Sequence, residues 1–175
     1  MTRFSTRRTA LAVVAAATLA VSFGARAQQR TFFGIATGGT GGTYYPLGGM
    51  LAQLISNKAT VGGQKISATA EAAGASVGNA KLLGNKEIES AFVAADILDA
   101  AYNGTGQFNG APLKNLRALG ALYPETVQLI TRADMGINSV RDLKGKSVSS
   151  GSPGSGQYQL LTDLLKVHGM SRNDV

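Results

Sequence analysis

The 175-residue chain has no cysteine, no tryptophan, a single histidine and only 15% charged residues. Without a thiol there is no disulfide framework, no lipid-modified N-terminal cysteine and no sulfur ligand for a metal. The one imidazole, His168, stands about three helical turns beyond Ser155, out of reach of a nucleophile–base pair with that serine. Neither an H-x-x-x-H pair nor a close group of carboxylates points to a metal, so the reading is of a protein that is not an enzyme and uses no cofactor. Lysine and arginine are spread along the chain instead of clustering among aromatics, which argues against nucleic acid as a partner.

What is present begins with an export signal. Arg3, Arg7 and Arg8 form a basic start, Ala10 to Phe23 is uncharged and mostly small and apolar, and Ala25-Arg26-Ala27 has the form of a cleavage site. The apolar run is too short for a stable transmembrane helix, so residues 1–27 read as a signal peptide and the mature protein as periplasmic and not membrane-spanning. The Arg7-Arg8 pair leaves both the general and the twin-arginine routes open. Loss of this segment removes four arginines and no acids, which lowers the formal net charge of +7 by four, to +3.

The mature region repeats one phrase: strand, glycine loop, helix. Thr31 to Ala36 predicts a strand that runs into Thr37-Gly38-Gly39-Thr40-Gly41-Gly42-Thr43-Tyr44-Tyr45-Pro46. A helix follows, with Thr43 or Tyr44 at its N-cap and Leu47, Met50, Leu51, Leu54 and Ile55 on one face. Lys65 to Ala70 predicts a second strand, Ser76 the cap of a helix ending near Gly84-Asn85, and Ala91 to Ala94 a third strand leading to Asp96 and another helix. Leu116 to Leu122, Thr126 to Thr131 and Ser147 to Ser150 are further strand-like runs. Between them, Ser139 to Lys146 reads as a helical turn closed by Gly145, with Asp142, like Asp99, a solvated helix position. A second glycine loop, Gly151-Ser152-Pro153-Gly154-Ser155-Gly156, opens a helix carrying Leu160, Leu161, Leu164, Leu165 and His168 on one face and stopped by Gly169. Alternating strands and helices argue for an α/β fold with a mostly parallel sheet. The expected organisation is a first lobe over residues 28–125 and, over 126–175, a hinge and a second lobe that is only begun.

Both glycine loops stand between a strand and a helix start, where unpaired amides and the positive end of the helix dipole favour an anion. Thr40, Thr43, Tyr44 and Ser155 add hydroxyl donors. Turn formation alone accounts for one such loop; two in matching contexts point to a ligand between them. Neither loop fits a phosphate-binding fingerprint: the first lacks a Gly-Lys-Ser/Thr ending and has Tyr44 where G-x-G-x-x-G needs its third glycine. Asp96 directly follows an apolar strand, where it either faces a crevice or caps the next helix.

These stretches resemble the TAXI family of TRAP-transporter solute receptors. The resemblance is carried by Gly38 to Gly48 (GGTGGTYYPLG), Gly74 to Asn79 (GASVGN), Ala95-Asp96 with Ala101 to Gly104, Leu122 to Glu125, and Asp142 to Lys146 continuing to Gly156. It implies a type II periplasmic-binding-protein-like fold of two lobes, here with the second incomplete. It also implies capture of a small organic anion, a carboxylate or an acidic amino acid such as glutamate, and delivery to membrane-embedded TRAP permease subunits. By position it places ligand contacts at Gly42, Thr43, Tyr44 and Ser76, with Asp96 possible, and at Ser155, Gly156 and Gln157. Gly78, Ala94-Ala95 and Gln157 depart from the family's usual residues and bear on which ligand is taken. A receptor of an ATP-driven importer is the nearest alternative, since the Asp142-Leu143-Lys144-Gly145-Lys146 stretch occurs there too; a transferase on the same two-lobe plan is more distant. The expected mature N-terminus is Gln28, which N-terminal sequencing of the exported protein checks; an intact Met1 on a cytoplasmic product overturns the compartment.

Overall fold

The computed structural model describes residues 31–175; the expected signal peptide and its cleavage site lie outside the described residues. Strand β1 (Thr31–Ala36) runs into the first glycine loop and helix α1 (Tyr44–Lys58). A short strand β2 (Thr60–Val61) and strand β3 (Gln64–Glu71) lead to helix α2 (Ala75–Gly84), and strand β4 (Ser90–Ala91) leads to helix α3 (Ala95–Asn103). Helix α4 (Gly156–Val167) follows the second glycine loop. The sheet order is β2-β3-β1-β4, with β1 parallel to both β3 and β4 and β2 antiparallel to β3. This is the α/β architecture with a mostly parallel sheet that the alternation implies.

Two apolar clusters serve the sheet. Ile35, Ala52 and Phe92 are buried together with Phe33, Leu51 and Ile55 packed against them, under α1. Val77, Ala80, Ile97, Ala101, Phe108 and Leu116 form the other, between α2 and α3. The buried stripe of α1 differs from the one the leucine spacing suggests: Gly48 and Ala52 face inward, while Met50 and Leu54 are more than half exposed. The cause is a close approach. A Cβ on Gly48 would stand 2.5 Å from Thr37 Cγ2, so only glycine lets α1 lie this near the end of β1.

The hairpin β2–β3 was not foreseen from the sequence. Gly62 and Gly63 both have positive φ, +57° and +77°, the requirement of a type I′ turn that joins Val61 directly to Gln64. The Gly-Gly pair was its signal. The third strand shrinks from the expected Ala91–Ala94 to Ser90–Ala91 because only these residues pair, through Ile35 and Ala36 of β1.

Three expected strands do not form. Leu116 to Leu122, Thr126 to Thr131 and Ser147 to Ser150 make no ladder with any described residue, and Leu119 and Ile130 are 90% and 85% exposed. Their β-branched and apolar composition suits a sheet, but a strand exists only against a partner edge. Ser76 is also not a helix cap. Gly74 occupies that position in α2, and Ser76 lies inside the first turn. Asp142 is more than a solvated position: it accepts from the amides of Asn138 and Ser139 and from the Ser139 hydroxyl, closing a capping box on the turn Val140–Leu143. These bonds hold its carboxyl below the ordinary aspartate range, the Asn138 amide contributing most. Asp99 stays exposed and accepts from Asn103 Nδ2. Gly145 has φ +73°, as a closing glycine should. Helix α4 ends as anticipated, with Gly169 at φ +73° and a Schellman pair of bonds, Met170 N–H to Leu165 O and Gly169 N–H to Lys166 O.

Asn79 ties the parts together. Fully buried on α2, its Nδ2 donates to Ala36 O, Thr37 O and Phe92 O at 3.3, 2.9 and 2.8 Å, which joins the carboxyl ends of β1 and β4 to the helix. Asn79→Ala should lower unfolding free energy by about 2–4 kcal/mol, from a cavity plus buried carbonyls deprived of a donor. The nearly isosteric Asn79→Asp should lower it at least as much, because a carboxylate cannot donate to them; an unchanged denaturation midpoint in either variant refutes the clamp.

Candidate ligand-binding site

Chain connectivity sets the place. From β1 the chain passes through α1 to β3 on one side, then crosses through α2 to β4 on the other side of β1. The order therefore reverses between β1 and β4, and the loops leaving their carboxyl ends diverge to opposite faces, the position at which open α/β sheets bind ligands. The first glycine loop leaves β1 here. Thr37 anchors it, donating its hydroxyl to Glu71 O at 2.8 Å and its amide to the same oxygen at 2.9 Å, while Gly42 N–H closes a turn on Gly39 O at 2.9 Å.

Four helix starts meet around one hydroxyl. Ser76, 1% exposed, accepts at Oγ from the Ala94 amide at 3.0 Å, just before α3, and its Oγ lies 3.4 Å from the Tyr44 hydroxyl at the start of α1. A Cβ built on Gly156, the first residue of α4, would stand 3.4 Å from Ser76 Oγ and 3.6 Å from Ala94 Cβ. Thus α1, α2, α3 and α4 all present their N-terminal ends to the same small region. First-turn amides such as those of Gly156 and Gln157 have no intrahelical acceptor, so the region is rich in donors and positive in potential.

The residues expected to contact a ligand come together here to different degrees. Ser155 is buried and caps α4, its Oγ accepting from Tyr158 N–H at 3.1 Å; its own O–H remains available to donate. Gly156 sits against Ser76. Tyr44 is half-buried and stacks at 5.3 Å on Phe92. Gly42 and Thr43 are exposed on the loop rim, and Thr43 makes no side-chain cap bond despite its N-cap position. Gln157 is exposed and folds toward Gly151, whose Cβ position is 3.4 Å from Gln157 Cβ. Asp96 is exposed in the first turn of α3; Ala94, not Asp96, is the N-cap.

Two groups were not picked out as site residues. Tyr123 donates to Glu125 at 3.4 Å, and Glu125 also reaches Tyr44. Burial foremost, then the Glu125 charge, pushes the Tyr123 hydroxyl up to about 12; burial likewise raises Tyr44, with Glu125 and Asp96 adding to the shift. Both phenols therefore stay protonated donors, and the rim beside Tyr44 carries negative charge. Nothing local in the stretch Leu122 to Glu125 says that the Glu125 charge acts on Tyr44. His168, as anticipated, is a helix-end residue, with Nδ1 2.9 Å from Leu164 O.

Two hollows lie elsewhere, one of about 450 Å³ beside α3, lined by Leu98, Tyr102 and Arg117 among others, and one of about 490 Å³ between Gln128–Thr131 and Lys146–Ser149. Neither opens between the glycine loops. Among the described residues no group of three His, Cys, Asp or Glu is placed to hold a metal, and no helix is long and apolar enough to cross a membrane.

The model of the NMT1-like family matches residues 35–175, from the middle of β1 through both glycine loops and α4. The chain belongs to the NMT1-like family. This is a periplasmic-binding-protein-like family of substrate-binding receptors, which agrees with the mixed α/β fold and its mostly parallel sheet. In this member of the NMT1-like family Ser155 has a structural duty beside any contact with ligand. Ser155→Ala should destabilise the ligand-free protein by about 1 kcal/mol through loss of the α4 cap, and Ser155→Asp should retain most of that stability; equal thermal midpoints for wild type and Ser155→Ala refute the cap.

Proposed function

We propose that the chain is a periplasmic solute receptor of the TAXI type, which captures a small organic anion in the crevice between the glycine loops and passes it to the membrane subunits of a TRAP transporter. The observation that carries the reading is the meeting of four helix N-termini around Ser76 at the switch point of the sheet. Such a region attracts an anion without a fixed cation, because backbone amides and the helix dipoles supply the positive potential. Gly42, Thr43, Tyr44 and Ser155 to Gln157 are the proposed contacts, with Ser76 holding the helix starts in register. Residues 28–125 are the proposed first lobe and 126–175 the hinge and start of the second. The partners named come from the resemblance of the glycine loops and their neighbours to the TAXI family. A reading frame for a fused, many-span permease beside the gene supports the TRAP partner, and one for an ATPase favours the importer alternative.

Asp96 and Glu125 narrow the ligand. A plain dicarboxylate would bring a second negative charge to the rim where these carboxylates act on Tyr44. An acidic amino acid sets its ammonium there and its carboxylate at the helix starts. Calorimetry should therefore show L-glutamate binding about ten- to a hundredfold more tightly than glutarate, the effect of one charged-group hydrogen bond of about 1.5–3 kcal/mol. Ser155→Ala should weaken binding by a similar factor, and Ser155→Asp should abolish it while keeping the fold. Glutamate and its diamide, which keeps the ammonium but has no carboxylate, binding equally, or Ser155→Asp retaining full affinity, sinks the anion cradle.

A further inference from the structure

We propose that Arg172 is a positioning residue of the ligand site: its guanidinium staples together the two stems of the second glycine loop and so fixes the direction of the amides at the start of α4. This role rests on the reading of those amides as an anion seat, and it assigns their alignment to a side chain outside the loop.

Arg172 is half-buried and stands in the turn Arg172–Asp174, beyond the end of α4. That turn is fixed at its own base. Asp174 completes a capping box with Ser171, and its carbonyl accepts from the Gly145 amide at 2.7 Å. From there the guanidinium reaches both stems of the loop Gly151–Gly156. Nη2 donates to Ser150 Oγ at 3.0 Å, in the residue just before Gly151, and Nη1 donates to Tyr158 O at 3.2 Å, in the first turn of α4. Cζ also lies 3.7 Å from the centroid of the Tyr158 ring, a cation–π contact. The loop therefore begins and ends on one planar group. Lysine, a point charge on a flexible stem, cannot span both stems and stack at once.

Tyr158 carries the staple to the site. Its amide donates to Ser155 Oγ at 3.1 Å, the cap of α4, and the two amides before it, of Gly156 and Gln157, are the proposed ligand donors. The loop constrains itself poorly, because Gly151 and Gly154 sit at φ +78° and +86° and glycine gives up more backbone freedom than any other residue when it is fixed. Donors that must be aligned at the moment of binding cost affinity; donors already aligned do not. Among the described residues no carboxylate forms an ion pair with Arg172. Its bonds go to neutral oxygens on the loop stems and on Thr162, an allocation that serves shape and not charge pairing.

Arg172→Lys keeps the charge and loses the fork and the stack, Arg172→Gln loses the charge as well, and Ser150→Ala removes one anchor. By calorimetry, Arg172→Lys and Arg172→Gln should each bind L-glutamate at least about tenfold more weakly than wild type. Ser150→Ala should weaken binding by a smaller factor, and adding it to Arg172→Lys should change nothing further, since both remove one shared contact. Without ligand, the Tyr158 amide should exchange with deuterium at least about tenfold faster in Arg172→Lys, while the Leu165 amide, deep in the same helix, keeps its wild-type rate. Wild-type affinity in Arg172→Lys alongside weak binding in Arg172→Gln means that charge acts through space, and it overturns the staple. Unchanged affinity in both, with faster exchange along all of α4, reduces Arg172 to a support of the helix and overturns it equally. If no form, wild type included, binds L-glutamate or glutarate, the anion-receptor reading falls, and Tyr158 exchange still decides whether Arg172 fixes the loop.

Discussion

The hydroxyl of Ser76 is where the architecture converges. It takes the Ala94 amide at the entrance to α3, touches the Tyr44 hydroxyl at the entrance to α1, belongs to the first turn of α2 and lies against the first residue of α4. A helix start that ends inside a protein must find acceptors for its amides or lose several kcal/mol of desolvation. Bringing four such ends together multiplies that demand, and one buried hydroxyl is a compact way to meet part of it. The same demand leaves a region of positive potential that suits an anion.

Beneath this point lies a floor of polar clamps and small residues. Asn79 gathers carbonyls from the ends of β1 and β4, and Thr37 fastens β1 to the end of β3. Both are fully buried, so each makes the fold more particular about its sheet register than apolar packing alone would. Gly48 acts differently, by allowing α1 to approach the end of β1 where a methyl group would collide. The sheet is thus held at this edge by geometry that a larger residue at Gly48 would spoil. Its far edge is an ordinary hairpin.

The second loop holds two helix starts at once. Ser155 caps α4, and the Gly154 carbonyl accepts from the Val77 amide in the first turn of α2. Each amide satisfied internally in this way spares the fold the cost of a buried unpaired donor. Asp96 and Glu125 place negative charge beside the protonated phenols of Tyr44 and Tyr123.

Local sequence determined the elements that carry their own signals. Strand β1, the two loop-to-helix starts, and the glycine stop of α4 follow from β-branched composition, helical spacing and the φ freedom of Gly169. The expectation of an anion seat at the loops rests on the same local logic, since orphan amides and the dipole belong to any helix start. Only tertiary structure decided that Ser76 is a staple and not a cap, that Met50 and Leu54 face out because Gly48 must face in, and that Glu125 returns to Tyr44. The runs at Leu116–Leu122, Thr126–Thr131 and Ser147–Ser150 have the composition of strands but no ladder among the described residues. Composition records what a segment can pair with; whether an edge, a carbonyl or a close neighbour is there to meet it depends on residues far away in the chain.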